Sequence, residues 1–186
     1  MKAGHTGTLD PLATGLLIVL TGKRTKQASL FLKLDKAYEV KAILGIETDT
    51  FDSEGRILQQ SDEKVTRKDL EEVLQEFHGD IWQVPPHFSA KKMGGRKAYE
   101  LARKGIAVDM PPKKVSIYSL ELKDFQFPYF TIICEVSSGF YVRSLVHDIG
   151  GKLAVGATVV GVRRTRIGPY QVEQAKSLEE ILAPEV

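Results

Sequence analysis

Gly4-His5-Thr6-Gly7-Thr8-Leu9-Asp10-Pro11-Leu12-Ala13-Thr14-Gly15 is the most informative stretch of the chain. Two glycines precede a single aspartate and a third follows it. Glycine lets the backbone turn where other residues cannot and lets a ligand approach closely. Pro11 removes a backbone donor and fixes the direction in which the chain leaves. The string therefore reads as a rigid loop that projects one carboxylate. The apolar run after it, Leu16-Leu17-Ile18-Val19-Leu20, reads as a short buried strand ending at Thr21-Gly22. A turn aspartate that bonds its own backbone would use the same residue types.

Further along, periodicity predicts a surface helix over residues 23–34 and a strand over 38–44 that stops at Gly45. Residues 48–55 hold Asp49, Asp52, Ser53 and Gly55 and read as a turn, and a strand begins at 56–58. A helix over 65–77 has Thr66 as N-cap, Asp69 three residues on, and an apolar stripe of Leu70, Val73, Leu74 and Phe77. The pair Pro85-Pro86 forces an extended segment. A short helix is predicted over 98–104, and strands over 114–122 and 129–136. A helix over 141–153 turns Val142, Leu145, Val146, Ile149 and Leu153 inward. A strand over 157–166 and a terminal helix over 177–182 complete the reading. Helices and strands intermix without regular β-α-β order. That predicts one α+β domain on a mixed, largely antiparallel sheet flanked by helices.

The chain has 186 residues, 42% of them apolar and 27% charged, which suits one globular domain. No apolar run approaches the roughly 20 residues a membrane helix needs. One cysteine, Cys134, excludes an internal disulfide framework and a cysteine-cluster metal site, and a reducing compartment such as the cytoplasm is expected. His78, His87 and His147 lack metal-ligand spacing, so a metal site is not expected. The net charge is only +2, but it is uneven. Residues 1–41 carry seven Lys and Arg against three Asp and Glu, residues 47–80 four against eleven, and residues 86–114 eight against two. Two basic zones around an acidic one suit a polyanion on one face, although scattered solvated charge has the same composition.

The loop around Asp10 resembles the catalytic loop of the bacterial tRNA pseudouridine-55 synthase family of the TruB type. That family's pattern runs Gly-His-Thr/Gly-Gly-Thr/Ala-Leu-Asp-Pro-x-Ala-x-Gly. Three further segments agree in order: Asp35-Lys36-Ala37-Tyr38, Gln83-Val84-Pro85-Pro86-His87-Phe88-Ser89-Ala90-Lys91-Lys92, and Ser137-Ser138-Gly139-Phe140-Tyr141-Val142-Arg143-Ser144-Leu145. Together the four motifs span nearly the whole chain.

The resemblance implies a pseudouridine synthase fold and conversion of a uridine in the tRNA T-loop (position 55) to pseudouridine, without a cofactor. It implies that Asp10 is the catalytic aspartate, that Arg143 is the arginine holding it, and that Tyr38 stacks on the target base. A stacked base is worth about 1–3 kcal/mol. It implies that Tyr141 and Val162 line the base site and that His5 enters the T-loop. It also implies that the basic stretch at about 86–114 is an RNA-binding insert, with Lys91, Lys92, Arg96 and Lys97 meeting phosphates beside Phe88 and Tyr99. Arg163 and Arg164, with Arg166, form a second cluster that could meet phosphates. Each residue also has a plainer use, as core aromatic, strand valine or solvated cation. The partner expected is the tRNA T-arm, bound by a monomer.

The family normally carries an N-terminal segment with a Lys-Pro-x-Gly motif and a C-terminal RNA-binding domain of the PUA type. Neither is expected within residues 1–186. A non-catalytic tRNA-binding or RNA-folding module is the alternative reading. A metabolic enzyme using Asp10 as general base is more remote, for want of a small-molecule motif.

Overall fold

A computed structural model describes residues 1–86, 88, 92–93, 96–97 and 110–182, with backbone alone at 92–93 and 96–97. The helix predicted over 98–104 and the site residue Lys91 lie outside the described residues, as do His87 and Tyr99.

The chain opens with β1 (Ala3–His5), β2 (Ala13–Gly15) and β3 (Val19–Thr21). A 3-10 turn (Gly22–Gln27) runs into α1 (Ala28–Leu32). There follow β4 (Lys36–Leu44), the ribbon β5 (Ile46–Thr48) and β6 (Ile57–Gln60), α2 (Arg67–Leu74) and β7 (Gly79–Gln83). A small ribbon, β8 (Lys92–Met93) and β9 (Arg96–Lys97), precedes β10 (Lys113–Gln126) and β11 (Tyr129–Val136). Then come α3 (Val142–Lys152), β12 (Ala157–Ile167), β13 (Tyr170–Gln171) and α4 (Leu178–Leu182).

The main sheet runs β13-β12-β4-β11-β10-β7, antiparallel throughout, and β2 adds to β12 in parallel. The expected α+β class with a mixed, largely antiparallel sheet is observed. Period-two alternation gives the sheet two unlike faces. Val40, Ala42, Phe130, Ile132, Cys134 and Val136 point to one face and are buried. Leu70 and Leu74 of α2 and Leu145, Val146 and Ile149 of α3 cover that face. The opposite face carries Glu39 and Lys123, joined at 2.8 Å. At roughly 25 cal/mol per Å² of apolar surface, this single core is the main driving force for folding.

The helix predicted from Thr66 forms with its full capping box: Thr66 N donates to Asp69 Oδ2 at 2.8 Å, and Asp69 N to Thr66 Oγ1 at 3.3 Å. The expectation for residues 16–20 fails. The run 16–20 is not a buried strand: Leu16 and Leu20 are buried, but Leu17 and Val19 are 40% and 57% exposed. Only residues 19–21 pair, with β1 in a ribbon outside the main sheet. A short apolar run does not reveal how many sides will be covered.

Helix α3 sits unusually close to the sheet at Gly150. A Cβ there would overlap the Ala157 nitrogen. We expect Gly150→Ala to push α3 away from β12 and to destabilise the protein by about 1–3 kcal/mol, the usual cost of overpacking. Urea unfolding checks this, and an unchanged midpoint contradicts the close approach.

Candidate active site

The Asp10 loop is tied down at both ends. Ala13 N donates to Asp10 O at 2.8 Å, closing a turn at Pro11-Leu12. The pairing of β2 with β12 sets Ala13 beside Val162 and Thr14 beside Arg163. Leu16 N donates to Arg164 O at 2.8 Å. In return, Arg164 donates from Nε to Leu16 O at 2.8 Å and from Nη2 to Gly7 O at 3.3 Å. Gly15 makes this docking feasible: its φ is +98°, and a Cβ would overlap the Arg164 carbonyl. The loop is thus held at Gly7 and Leu16, with Asp10 between.

Arg143, in the first turn of α3, meets Asp10 from 133 positions away in the sequence. Nε donates to Asp10 Oδ2 at 2.9 Å and Nη2 to Oδ1 at 3.3 Å, a two-pronged contact. Nη1 donates to Thr50 O at 2.9 Å and to Asp52 Oδ2 at 3.2 Å, and Nη2 also donates to Phe88 O at 2.9 Å. All five guanidinium N–H groups are used. The Arg143 side chain is 5% exposed and that of Asp52 6%, whereas Asp10 keeps 39%. The arginine is therefore buried structure, and the Asp10 carboxylate is the reachable end of the network.

Asp52 is the functional candidate that sequence reasoning missed. Its turn was recognised, but its burial was not. Its Oδ1 accepts from Thr50 Oγ1 at 2.6 Å and from Glu54 N at 3.1 Å, and Thr48 Oγ1 donates to Asp52 O at 2.7 Å. Phe51, at φ +63°, stacks on His147 of α3 with ring centroids 3.9 Å apart. A non-glycine residue in this region marks a strained backbone held by its surroundings.

Beside Asp10 lies a pocket of about 120 Å³. Its lining includes Tyr38, Tyr141, Phe140, Val162 and Arg164. Cavities of this size class accept a single six-membered ring. Tyr38 and Val162 reach it because β4 and β12 pair Val40 with Val162 and Tyr38 with Arg164 on one face. Burial pushes the Tyr38 phenol above its ordinary pKa, with the neighbouring Arg164 guanidinium opposing. Cys134 lies across from Tyr38, and burial pushes its thiol up to about 12, so it packs as a neutral group. Gln83, buried, fixes Tyr141 by its backbone: Nε2 donates to Tyr141 O at 3.0 Å and Oε1 accepts from Tyr141 N at 2.8 Å. Ser144 Oγ adds a 2.7 Å bond to Val84 O.

The structure thus brings Asp10, Arg143, Tyr38, Tyr141 and Val162 into one cleft, and His5 lines its outer part. It separates the two arginines expected to act together. Arg164 is buried and committed to the loop carbonyls, so it does not belong to a surface cluster. Arg163 is exposed, but it pairs in register with Glu39 on the opposite face of the sheet. Adjacent strand residues point to opposite faces, which a run of arginines conceals. Arg166 pairs with Glu135 at 2.9 Å. Lys92 pairs with Lys97, and Met93 with Arg96, in the β8–β9 ribbon.

The chain is similar to known proteins in sequence and in fold. The model of the TruB family pseudouridylate synthase N-terminal domain matches residues 1–142, and that of the tRNA pseudouridylate synthase B C-terminal domain matches 143–185. The chain is 48% identical to tRNA pseudouridine synthase B of Aquifex aeolicus, covering 99% of this chain and 65% of that protein. It is 47% identical to the synthase of the same name from Pseudomonas fluorescens, covering 98% and 60%. The chain therefore spans less than two thirds of the length of these relatives. Among solved structures, a Cbf5-Nop10-Gar1 complex matches with a TM-score of 0.70 at 30% identity, covering 92% of this chain and 42% of that one. An H/ACA ribonucleoprotein bound to a substrate RNA containing 2'-deoxyuridine matches at 0.65 and 27% identity, covering 92% and 40%.

Removing Asp52 should leave Arg143 partly uncompensated. We expect Asp52→Ala to cost about 1–3 kcal/mol. That is below the roughly 3–5 kcal/mol lost when a lone buried pair is broken, because Asp10 still faces the guanidinium. Denaturant midpoints measure it; no change would mean that Asp52 contributes nothing to holding Arg143.

Proposed function

The chain belongs to the TruB family of pseudouridylate synthases, and from that premise we propose that it isomerises a uridine in tRNA to pseudouridine. The observation that carries this reading is the Asp10 carboxylate, half-exposed at the mouth of a ring-sized pocket and gripped by a buried guanidinium. The target is the T-arm uridine at position 55, as in the resemblance of the loop motif. The enzyme acts as a monomer in the cytoplasm, without cofactor. Among the described residues no helix is long and apolar enough to cross a membrane.

Placement in one cleft and the motif resemblance support the following roles. Asp10 is the group that attacks the nucleotide or removes its proton, and Arg143 holds it in position. Tyr38 stacks on the everted base, with Val162 and Tyr141 closing the pocket walls around it. His5 fills the space the base leaves, which offsets the few kcal/mol of base extrusion. The glycosidic carbon–nitrogen bond breaks, the base turns, and a carbon–carbon bond forms in its place. The base loses the proton from that carbon and gains one on nitrogen, so no atom is added or lost. Residues 1–186 act as one catalytic domain. Its basic insert at about 86–114, including Lys91, Lys92, Arg96 and Lys97, contacts the RNA backbone.

T-arm RNA incubated with the protein should yield pseudouridine, detected by chemical mapping. Asp10→Asn should lower product formation by at least about 10²–10⁴-fold, the range expected for one positioned acid–base group. Its RNA affinity should stay within a few-fold of the parent. Product from the variant at the parent's rate would remove Asp10 from the chemistry. RNA bound by both with no product from either would instead favour a binding module.

A further inference from the structure

Beyond the ring-sized pocket the cleft opens to a volume of about 740 Å³. Its outer wall includes His5, Thr6, Lys33, Lys36 and Lys113, and Asp10 is the one carboxylate among its described lining residues. Lys33, Lys36 and Lys113 have no ion pair among the described residues, whereas Lys114, next to Lys113 in the chain, pairs with Asp80 at 2.8 Å.

Lys36 is the unusual one. It is 7% exposed, and its ammonium donates to the carbonyls of Leu32, at 2.8 Å, and Leu34. These bonds close the end of α1 and leave one of three N–H groups. Burial, with Arg164 and Lys113 nearby, pushes its pKa down to about 8, and Asp35 only partly opposes. The Lys113 ammonium rests against Gly139, on the side of the cleft formed by Ser138 and Phe140. Thr6 is fully buried in the same wall, and its hydroxyl has no hydrogen-bond partner among the described residues. Helix capping explains Lys36 alone. It explains neither the second and third lysines nor the unsatisfied hydroxyl, since buried polar groups are almost always partnered.

An anion with several acceptor oxygens would answer all of these groups together. We propose that Lys36, Lys113, Lys33 and Thr6 form a subsite for one phosphodiester of the RNA strand beside the everted uridine. The proposal rests on the reading that the chain binds RNA, and it deepens that reading. The ring-sized pocket takes the base, and the lysine wall takes the backbone of the same strand. The subsite thereby sets how far the nucleotide can enter. It differs from a merely solvated lysine patch because one of its cations is buried.

The test is a coupling measurement. T-arm RNAs carry one methylphosphonate, a neutral linkage, at successive positions around the target, each with a 2′-O-methyl sugar to keep the linkage intact. Their Kd values are measured against salt for the parent, Lys36→Gln and Lys113→Gln. Each substitution should weaken binding of unmodified RNA by about 3–10-fold and lower the salt slope by about 0.7. One linkage beside the target should weaken the parent similarly, and combining it with either variant should add no further loss. Losses that multiply at every linkage, or variants with unchanged Kd and slope, overturn the subsite. Lys113→Gln guards against misfolding, because Lys113 is exposed at the start of β10 and caps no helix. Product from the parent is scored separately. RNA bound without product defeats the proposed chemistry while the coupling still decides the subsite, and a parent that binds no RNA overturns both.

Discussion

Arg143 holds this structure's candidate site together. Its five donors reach the Asp10 loop, the turn at Thr50 and Asp52, and the segment at Phe88, while its own backbone begins α3. A buried guanidinium is costly unless every donor finds an acceptor. The network therefore favours a state in which all four segments are in place at once. It also leaves the two carboxylates with unlike environments. Asp52 is enclosed and serves the arginine, whereas Asp10 faces the cleft and is free to meet a ligand.

Arg164 does a related job with different acceptors. It lies on β12, two residues from Val162 and on the same face, and grips the carbonyls of Gly7 and Leu16. One buried arginine thus orients the carboxylate, and another orients the loop that bears it. The face that carries Arg164 also carries Tyr38 and Lys36 on β4, so the period of two along two paired strands lines up the cleft floor. Helix α3 completes the arrangement. Its inward stripe packs on the sheet, Gly150 allows the close approach, and Arg143 in its first turn is carried to the loop.

Much of this was legible in the chain. The helices starting at Thr66 and near Val142, the long strands and the mixed architecture follow from apolar spacing and capping residues, which act over a few positions. The motifs around Asp10, Tyr38 and Arg143 named residues that the fold does bring into one cleft, because that loop has a specific string of residue types. The misses share a cause. The run 16–20 was read as buried because an apolar run does not say what covers it. Asp52 looked like an ordinary turn residue, because its burial comes from α3 and β12. Arg163 and Arg164 looked like one basic cluster, yet the pleat sends them to opposite faces.

Local propensities and residue pattern were enough to assign most element types and the core-facing stripes, and the motif string singled out Asp10 as the candidate carboxylate. They act through neighbours one to four positions apart, and those neighbours are written in the chain. Which arginine is buried, which acid sits behind it and which lysines crowd one wall depend on contacts across tens to more than a hundred positions. Those contacts exist only after the strands have chosen partners and register, because burial and charge pairing belong to the assembled sheet and not to any segment of it.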